Sequence, residues 1–188
     1  MGIVGRRFRA VVVSGLIAAA LMVQVEAADQ AGPREAARNA HVRTEDPAVS
    51  ILVEEGVRRS PTFRALIDEL ETSDVVVYVD RRCCLSHDEA GFVAFVASVG
   101  GCRYLAIHID ARQSHDQMLA MIGHELRHAV EIANSPEVVN EPALAALYER
   151  IGFPRDSGVR RFDSHAAIAA GWQILRELGP EAGRAGRE

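Results

Sequence analysis

The chain has 188 residues, with 26 acidic residues and 21 basic residues that are all arginine, and its formal net charge is −5. The absence of lysine excludes mechanisms that depend on one, such as Schiff-base chemistry, a P-loop lysine or a lysine general base. The acidic balance argues against broad nucleic-acid binding, which needs a positive surface. The length suits one domain with a proper core.

The first 27 residues have the pattern of a secretory signal. Three arginines precede an apolar run at residues 10–23, and Val25-Glu26-Ala27 follows with small residues at its first and last positions. We predict a signal peptide at residues 1–27 that is cleaved after Ala27. The apolar run is shorter than the ~20 residues of a spanning helix. We therefore expect an exported protein, periplasmic or extracellular, with no membrane span after cleavage.

The remaining chain divides into three predicted parts. Residues 28–46 are rich in Ala, Gly, Arg and Glu without an apolar period, which is typical of a flexible linker. A single domain is predicted at residues 47–179. The Gly- and Arg-rich end at residues 180–188 is predicted to be a disordered tail.

Three cysteines lie in this chain, which is predicted to reach an oxidising compartment. Cys83 and Cys84 are neighbours, and Cys102 lies near the start of a later predicted strand. A disulfide from one of the neighbours to Cys102 is compatible with these positions, and the choice between the two is open. No C-x-x-C motif is present to indicate a reactive thiol pair.

The domain begins with two predicted helices and a strand. Asp46-Pro47 and Ser60-Pro61 each combine a capping residue with proline at the first helical position. They predict helices at residues 47–59 and 61–71. The β-branched run at residues 75–79 predicts a buried strand.

The middle of the domain contains two further extended candidates. Residues 92–99 form an apolar run that fits either a strand or a helix. Gly100-Gly101 makes a turn into residues 103–110, where apolar and polar residues alternate. That alternation predicts a half-buried strand with His108 on its open face, and the buried face would hold Leu105, Ile107 and Ile109.

Three helices are predicted in the rest of the domain, at residues 114–133, 141–151 and 164–178. The first contains Gly123-His124-Glu125-Leu126-Arg127-His128, an H-E-x-x-H sequence. Histidines four residues apart share one helix face, so both imidazoles can reach the same ion. Glu125 points about 100° around the helix, where it can take a proton from a metal-bound water. The apolar side faces away from the histidines and comprises Met118, Ile122, Leu126, Ala129 and Ala133.

At this motif the sequence resembles the zincin metallopeptidases. It is also similar, through His124–Ala129 and Phe162-Asp163-Ser164-His165-Ala166-Ala167, to small secreted bacterial gluzincin-like proteins of unassigned function. The resemblance implies an α+β fold in which a small, mostly antiparallel sheet packs with the motif helix and further C-terminal helices. It also implies that a half-exposed strand, here residues 103–110, holds a peptide substrate in extended form.

A catalytic zinc takes three protein ligands and leaves one position open. His124 and His128 supply two, and the third remains open among Asp163, which we favour, His165 and Glu141. Asp163 also fits a helix N-cap, and Glu141 fits the acidic first turn of a helix. No glycine and histidine follow at metzincin spacing. Glu131 stands there instead, and it suits a partner that orients an imidazole better than a ligand.

The sequence thus predicts a secreted Zn²⁺-dependent hydrolase, a metallopeptidase with Glu125 as general base and a peptide or protein as substrate. The alternative is a catalytically inactive zincin-like domain for metal binding or protein interaction, because the short mature chain leaves little room for a deep cleft. Near the site, Tyr148 is a candidate oxyanion donor and Arg127 a candidate contact for a substrate carboxylate. Specificity and oligomeric state stay open.

Overall fold

A computed structural model describes residues 40–83, 85, 89–154 and 162–179. The predicted signal peptide, most of the predicted linker, Cys84 and the predicted tail lie outside these residues. Among the described helices, none has both the length and the apolar character needed to span a bilayer.

The described residues form six strands and five helices. Four of the strands make one sheet in the order β1-β2-β4-β3, and β5 and β6 make a separate pair. In chain order the elements are β1 (Val42–Arg43), α1 (Pro47–Arg59), α2 (Pro61–Glu71), β2 (Val75–Arg82), β3 (Gly91–Val99), β4 (Cys102–Asp110), α3 (His115–Ala133), α4 (Glu141–Ile151), β5 (Phe153–Pro154), β6 (Phe162–Asp163) and α5 (His165–Leu178).

The α+β class is confirmed, but the main sheet is mixed and not mostly antiparallel. β1 pairs with β2, and β2 with β4, in parallel, whereas β3 pairs with β4 antiparallel. Two helices connect β1 to β2, and a crossover of that length joins parallel strands. Only the tight turn at Gly100-Gly101, where φ is 63° and 80°, makes an antiparallel hairpin in this sheet.

The predicted starts of the first two helices are confirmed. The Asp46 side chain accepts a hydrogen bond from the Ala48 amide at 2.9 Å, and Ser60 accepts one from the Phe63 amide at 3.0 Å. Each cap satisfies an amide that has no partner within the helix. Both helices therefore begin where the capping residue and the following proline predict.

The end of the predicted linker is a strand. Val42 pairs with Val77 across β1 and β2, and His41 Nδ1 lies 2.9 Å from the carbonyl oxygen of Val75. The Arg43 side chain donates to the Ala40 carbonyl at 2.7 Å. Two residues of pairing are too short to leave a periodic signal in the sequence, so composition alone suggested a linker here.

Strand β4 keeps the predicted alternation in its first half, where Tyr104 and Ala106 are partly exposed, but its second half is buried on both faces. Leu105, Ile107 and Ile109 are fully buried, as the alternation predicts, but His108 is also buried. Its ring packs against Phe92 of β3 with centroids 4.8 Å apart, and its Nδ1 contacts Asp80 of β2. Strand β4 has a neighbouring strand on each side, and β3 is one of the two edge strands of the described sheet.

Parallel pairing also rules out the disulfide from Cys83 to Cys102. Cys102 begins β4 beside the register pair Val75–Arg103, whereas Cys83 follows the last pair, Arg82–Asp110, at the other end of the strands. At 3.3 Å per residue the two positions are on the order of 30 Å apart, and a disulfide needs Cα atoms within about 7 Å. Cys102 accordingly forms no disulfide within the described residues.

The motif helix α3 is fixed at both ends. Ser114 and Gln117 form a capping box at its start. At its end the buried Arg103 guanidinium donates to the carbonyls of Ile132 at 2.7 Å and Ser135 at 2.8 Å. Arg103 also forms an ion pair with Asp74. The strand that precedes α3 in the chain therefore also holds the far end of the helix.

Helices α3 and α5 pack closely at Gly123. A Cβ atom at this glycine would lie 2.1 Å from Ile174 Cδ1 and 3.4 Å from Phe63 Cδ2. Gly171 of α5 faces His124 at ordinary contact distance, because a Cβ atom there would lie 3.4 Å from the His124 Cβ. Small residues at the crossing bring the start of α5 next to the histidine face of α3.

We expect Gly123→Ala to destabilise the protein by about 1–3 kcal/mol, because the methyl group overpacks the crossing. Ile174→Val deletes the clashing Cδ1 and leaves Cγ1 at 3.5 Å, so in that background the alanine should cost almost nothing. Urea unfolding of the wild type, both single variants and the double variant measures this difference. The same penalty in both backgrounds would contradict the packing explanation.

Candidate metal centre

The two motif histidines lie in the middle of α3, on a face that is buried but not apolar. His124 and His128 have their rings 5.0 Å apart at 75°. Leu119, Ile122 and Leu126, on other faces of the helix, are fully buried in the core. The middle of the helix is therefore buried on all sides, and its histidine face lies against other parts of the protein and not in solvent.

Strand β6 and the start of α5 bring Asp163 to this face. The strand pairs Asp163 with Phe153 of β5, and the Asp163 carboxylate accepts from the Ser164 amide at 2.7 Å. Ser164, not Asp163, is the N-cap of α5, since its hydroxyl accepts from the Ala167 amide at 3.0 Å. The Asp163 carboxylate thereby stays directed at the histidines.

Three buried side chains converge here and can hold a metal ion. Asp163 Oδ1 lies 3.3 Å from His124 Nε2 and 3.5 Å from His128 Nε2. One ligand atom from each residue lies within 4.8 Å of the other two. The side chains come from different elements, so the tertiary fold assembles the set.

The charges of this trio are strongly coupled. Burial raises the pKa of Asp163, but hydrogen bonds and attraction to the two imidazoles outweigh it and hold that pKa well below its usual value. Burial lowers the pKa of His128, but Asp163 and Glu131 outweigh it and raise that pKa to about 9. Without a metal, an imidazole of the site therefore keeps its proton and its positive charge. A metal ion that binds there displaces this proton and supplies the positive charge instead.

Glu131 holds His128 from the side away from Asp163. Its Oε2 lies 2.9 Å from His128 Nδ1, and its Oε1 accepts from the Ser164 hydroxyl at 2.6 Å. A hydrogen bond at Nδ1 fixes the tautomer and orientation of an imidazole that binds metal through Nε2. Ser164, which follows Asp163 in the chain, thereby connects the Glu131 carboxylate to the segment that carries Asp163. The sequence suggested Asp163 as the cap of this helix, and the contact between Ser164 and Glu131 has no local signal in the sequence.

Tyr148 belongs to the same support. Its hydroxyl lies 2.9 Å from His128 Nδ1 and 3.3 Å from Glu131 Oε2. Burial and the nearby Glu131 carboxylate raise the pKa of Tyr148, so the hydroxyl stays protonated as a donor. The hydroxyl therefore lies on the Nδ1 side of His128. Tyr148 also lines the cleft described below, and its role as an oxyanion donor stays a prediction.

The other candidate ligands lie outside the trio. His165 is the first residue of α5 and is exposed, with its ring 4.9 Å from that of Phe153. Glu141 is the first residue of α4, is also exposed, and lines the cleft described below. Within the described residues, only the two histidines and Asp163 form a group of metal-ligand geometry.

A cleft of about 340 Å³ adjoins the trio. Glu125, which is 3% exposed, lies in its wall together with the three candidate ligands. The facing walls are mainly apolar and include Phe92, Val93 and Phe95 of β3, Leu144 and Ala145 of α4, and Phe162. A small molecule or an extended chain that enters the cleft therefore meets Glu125 and the candidate metal ligands together.

Arg127 and His108 do not line this cleft among the described residues. Arg127 lies with its Nε 4.0 Å from Glu131 Oε1, and that nitrogen has no hydrogen-bond partner among the described residues. The position of Arg127 gives no support to its predicted contact with a substrate carboxylate.

Comparisons with protein-family models, with curated proteins and with solved structures return no match for this chain.

We expect Glu131→Gln to weaken Zn²⁺ binding about 10–100-fold, because the anionic partner of His128 is lost. Competition with a chromophoric chelator measures the dissociation constant. Glu137→Gln is the control, since Glu137 is exposed and pairs with Arg150 away from the trio. Equal affinities for the two variants would contradict a supporting role for Glu131.

Proposed function

We propose that the protein is an exported zinc-dependent hydrolase, and specifically a metallopeptidase of the zincin type. One arrangement carries the proposal: His124, His128 and Asp163 converge on one point, and the buried carboxylate of Glu125 shares their cleft. The predicted signal at residues 1–27 supports activity in the periplasm or outside the cell.

The donor set supports zinc as the ion. Two imidazole nitrogens and one carboxylate oxygen match the ligands of a common class of catalytic zinc site, which keeps its fourth position for water or substrate. A structural zinc site is instead closed by four protein ligands. The trio supplies three side chains and adjoins a cleft, which favours the catalytic type.

The chemistry follows from these residues. A bound zinc ion lowers the pKa of a water ligand to about 7 and polarises a carbonyl group. His124, His128 and Asp163 would hold the ion, and Glu131 would keep His128 oriented. Glu125 would accept the proton of the attacking water and deliver it to the leaving amine. The apolar walls around the site exclude water molecules that would otherwise solvate these charged groups and weaken their interactions.

Strand β3 is proposed to hold the substrate. It is an edge strand of the described sheet, and its residues 91–95 line the cleft. An extended peptide can add to such an edge through backbone hydrogen bonds. The resemblance assigned this role to residues 103–110, but β4 has strand partners on both sides. The assignment therefore moves to Gly91–Val99.

We expect Glu125→Gln to keep about one equivalent of zinc and to lower peptide hydrolysis by 10²–10⁴-fold, because the general base is lost while the three ligands remain. Metal analysis and mass spectrometry of a digested peptide library measure the two properties. Glu137→Gln serves again as the exposed control.

A wild-type protein that binds no zinc would contradict the proposal as a whole. Zinc binding without hydrolysis of any library peptide by the wild type would favour the alternative, a catalytically inactive domain for metal binding or protein interaction.

A further inference from the structure

The backbone of β4 bonds alternately to the two strands beside it. The Arg103 amide donates at 2.8 Å to the carbonyl of Asp74, which directly precedes β2. The Asp110 amide donates at 2.9 Å to the carbonyl of Ala90, which directly precedes β3. Odd-numbered residues of β4 therefore bond to β2, and even-numbered residues bond to β3.

This alternation shows which residues of β3 turn their polar backbone groups to the free edge. Ala94 lies opposite Ala106, an even-numbered residue, so its N–H and C=O groups point to β4. Gly91, Val93 and Phe95 lie opposite odd-numbered residues and turn both groups away from β4. Outside the strand pairing, no backbone hydrogen bond within the described residues involves these three.

The part of this edge that another strand can reach is short. At one end Gly91 is buried, and a Cβ atom there would lie 2.9 Å from Met121 Cγ of α3. At the other end the register shifts, so that Phe95 and Val96 together lie opposite Leu105. This β-bulge puts the next outward-facing residue three positions along β3 instead of two. The described lining of the cleft also stops at Phe95 on this strand.

We propose that β3 pairs with its substrate through Val93 and Phe95 alone, so that the cleft binds peptides that are extended over only about three residues. The inference rests on the proposed function for its site. A regular strand presents its polar groups every second residue, which matches Val93 and Phe95 but not the wider spacing beyond the bulge.

The substrate class follows from this short pairing. Two peptide amides, two residues apart, donate to the carbonyls of Val93 and Phe95, so proline is excluded at those two positions because it has no N–H group. Chain ends and loops meet the requirement, and a longer extended segment gains no further pairing on β3.

The experiment uses zinc-loaded Glu125→Gln protein, so that peptides bind without being cleaved. A library peptide of about ten residues, the length of a long strand, is chosen for its affinity in fluorescence anisotropy. Each of its backbone amides is then replaced in turn by the N-methyl form, which removes one donor and leaves the side chain unchanged. The unmodified peptides are also offered to the wild type, and kcat/KM is measured.

We expect N-methylation to weaken binding about 3–10-fold at two positions that lie two residues apart, since each change removes one hydrogen bond. Proline at either position should have the same effect. Deletion of Val96 removes the extra residue and leaves the other side chains of β3 on their present faces, so a third amide, two residues further along the peptide, should become sensitive. Val96 is 60% exposed, so its deletion opens no cavity in the core. Val96→Thr keeps the bulge and is the control, with two sensitive amides.

Sensitive amides at three or more alternate positions without the deletion, sensitivity at no position, or no binding of any peptide would overturn the inference. An unchanged pattern in a folded Val96 deletion variant would do the same. If circular dichroism shows that this variant does not fold, the pattern of the undeleted protein decides alone. If the two-amide pattern holds but the wild type cleaves no peptide, the proposed hydrolase function fails and the short pairing stands. Cleavage without the pattern leaves the hydrolase and removes the pairing.

Discussion

The close crossing of α3 and α5 at Gly123 is the constraint on which the candidate metal centre depends. The histidines are fixed on one helix, whereas Asp163 directly precedes the cap of the other. A Cβ atom at Gly123 would lie 2.1 Å from Ile174 Cδ1, so either the Ile174 side chain would have to change conformation or the helices would have to move apart. A displacement of about 1 Å matters for a metal site, because ligand distances must be held within a few tenths of an ångström.

The polar residues of this region are costly to bury. His124, Glu125, His128, Glu131 and Asp163 are all buried. Buried ion pairs contribute little to stability compared with apolar residues of similar size, and clusters of perturbed titratable groups are concentrated at functional sites. The Glu131 contacts with His128 and Ser164 show that the charges are arranged and hydrogen-bonded. This arrangement favours a functional site over a structural ion-pair network.

Local signals predicted the helices well, because Asp46, Ser60 and Ser114 cap them through contacts within three residues. The sheet was harder to predict. The apolar run at residues 92–99 is too short to distinguish a strand from a helix. The alternation of residues 103–110 cannot show which strands lie beside β4. The motif indicated His124 and His128, but the choice of Asp163 over His165 and Glu141 depends on how α5 docks, some 35 residues from His128. Sequence spacing carries no information on that docking.

The central claim is that two imidazoles and the Asp163 carboxylate bind one metal ion and leave a position open. X-ray absorption spectroscopy of the zinc-loaded wild type and of Asp163→Ala tests it most directly. We predict two imidazole nitrogens at about 2.0–2.1 Å and two oxygens near 2.0–2.2 Å in the wild type, with no sulfur neighbour. One of the oxygens should exchange for an added inhibitor, and zinc affinity should fall sharply in the variant. A sulfur ligand, or an unchanged zinc environment in Asp163→Ala, would contradict the account.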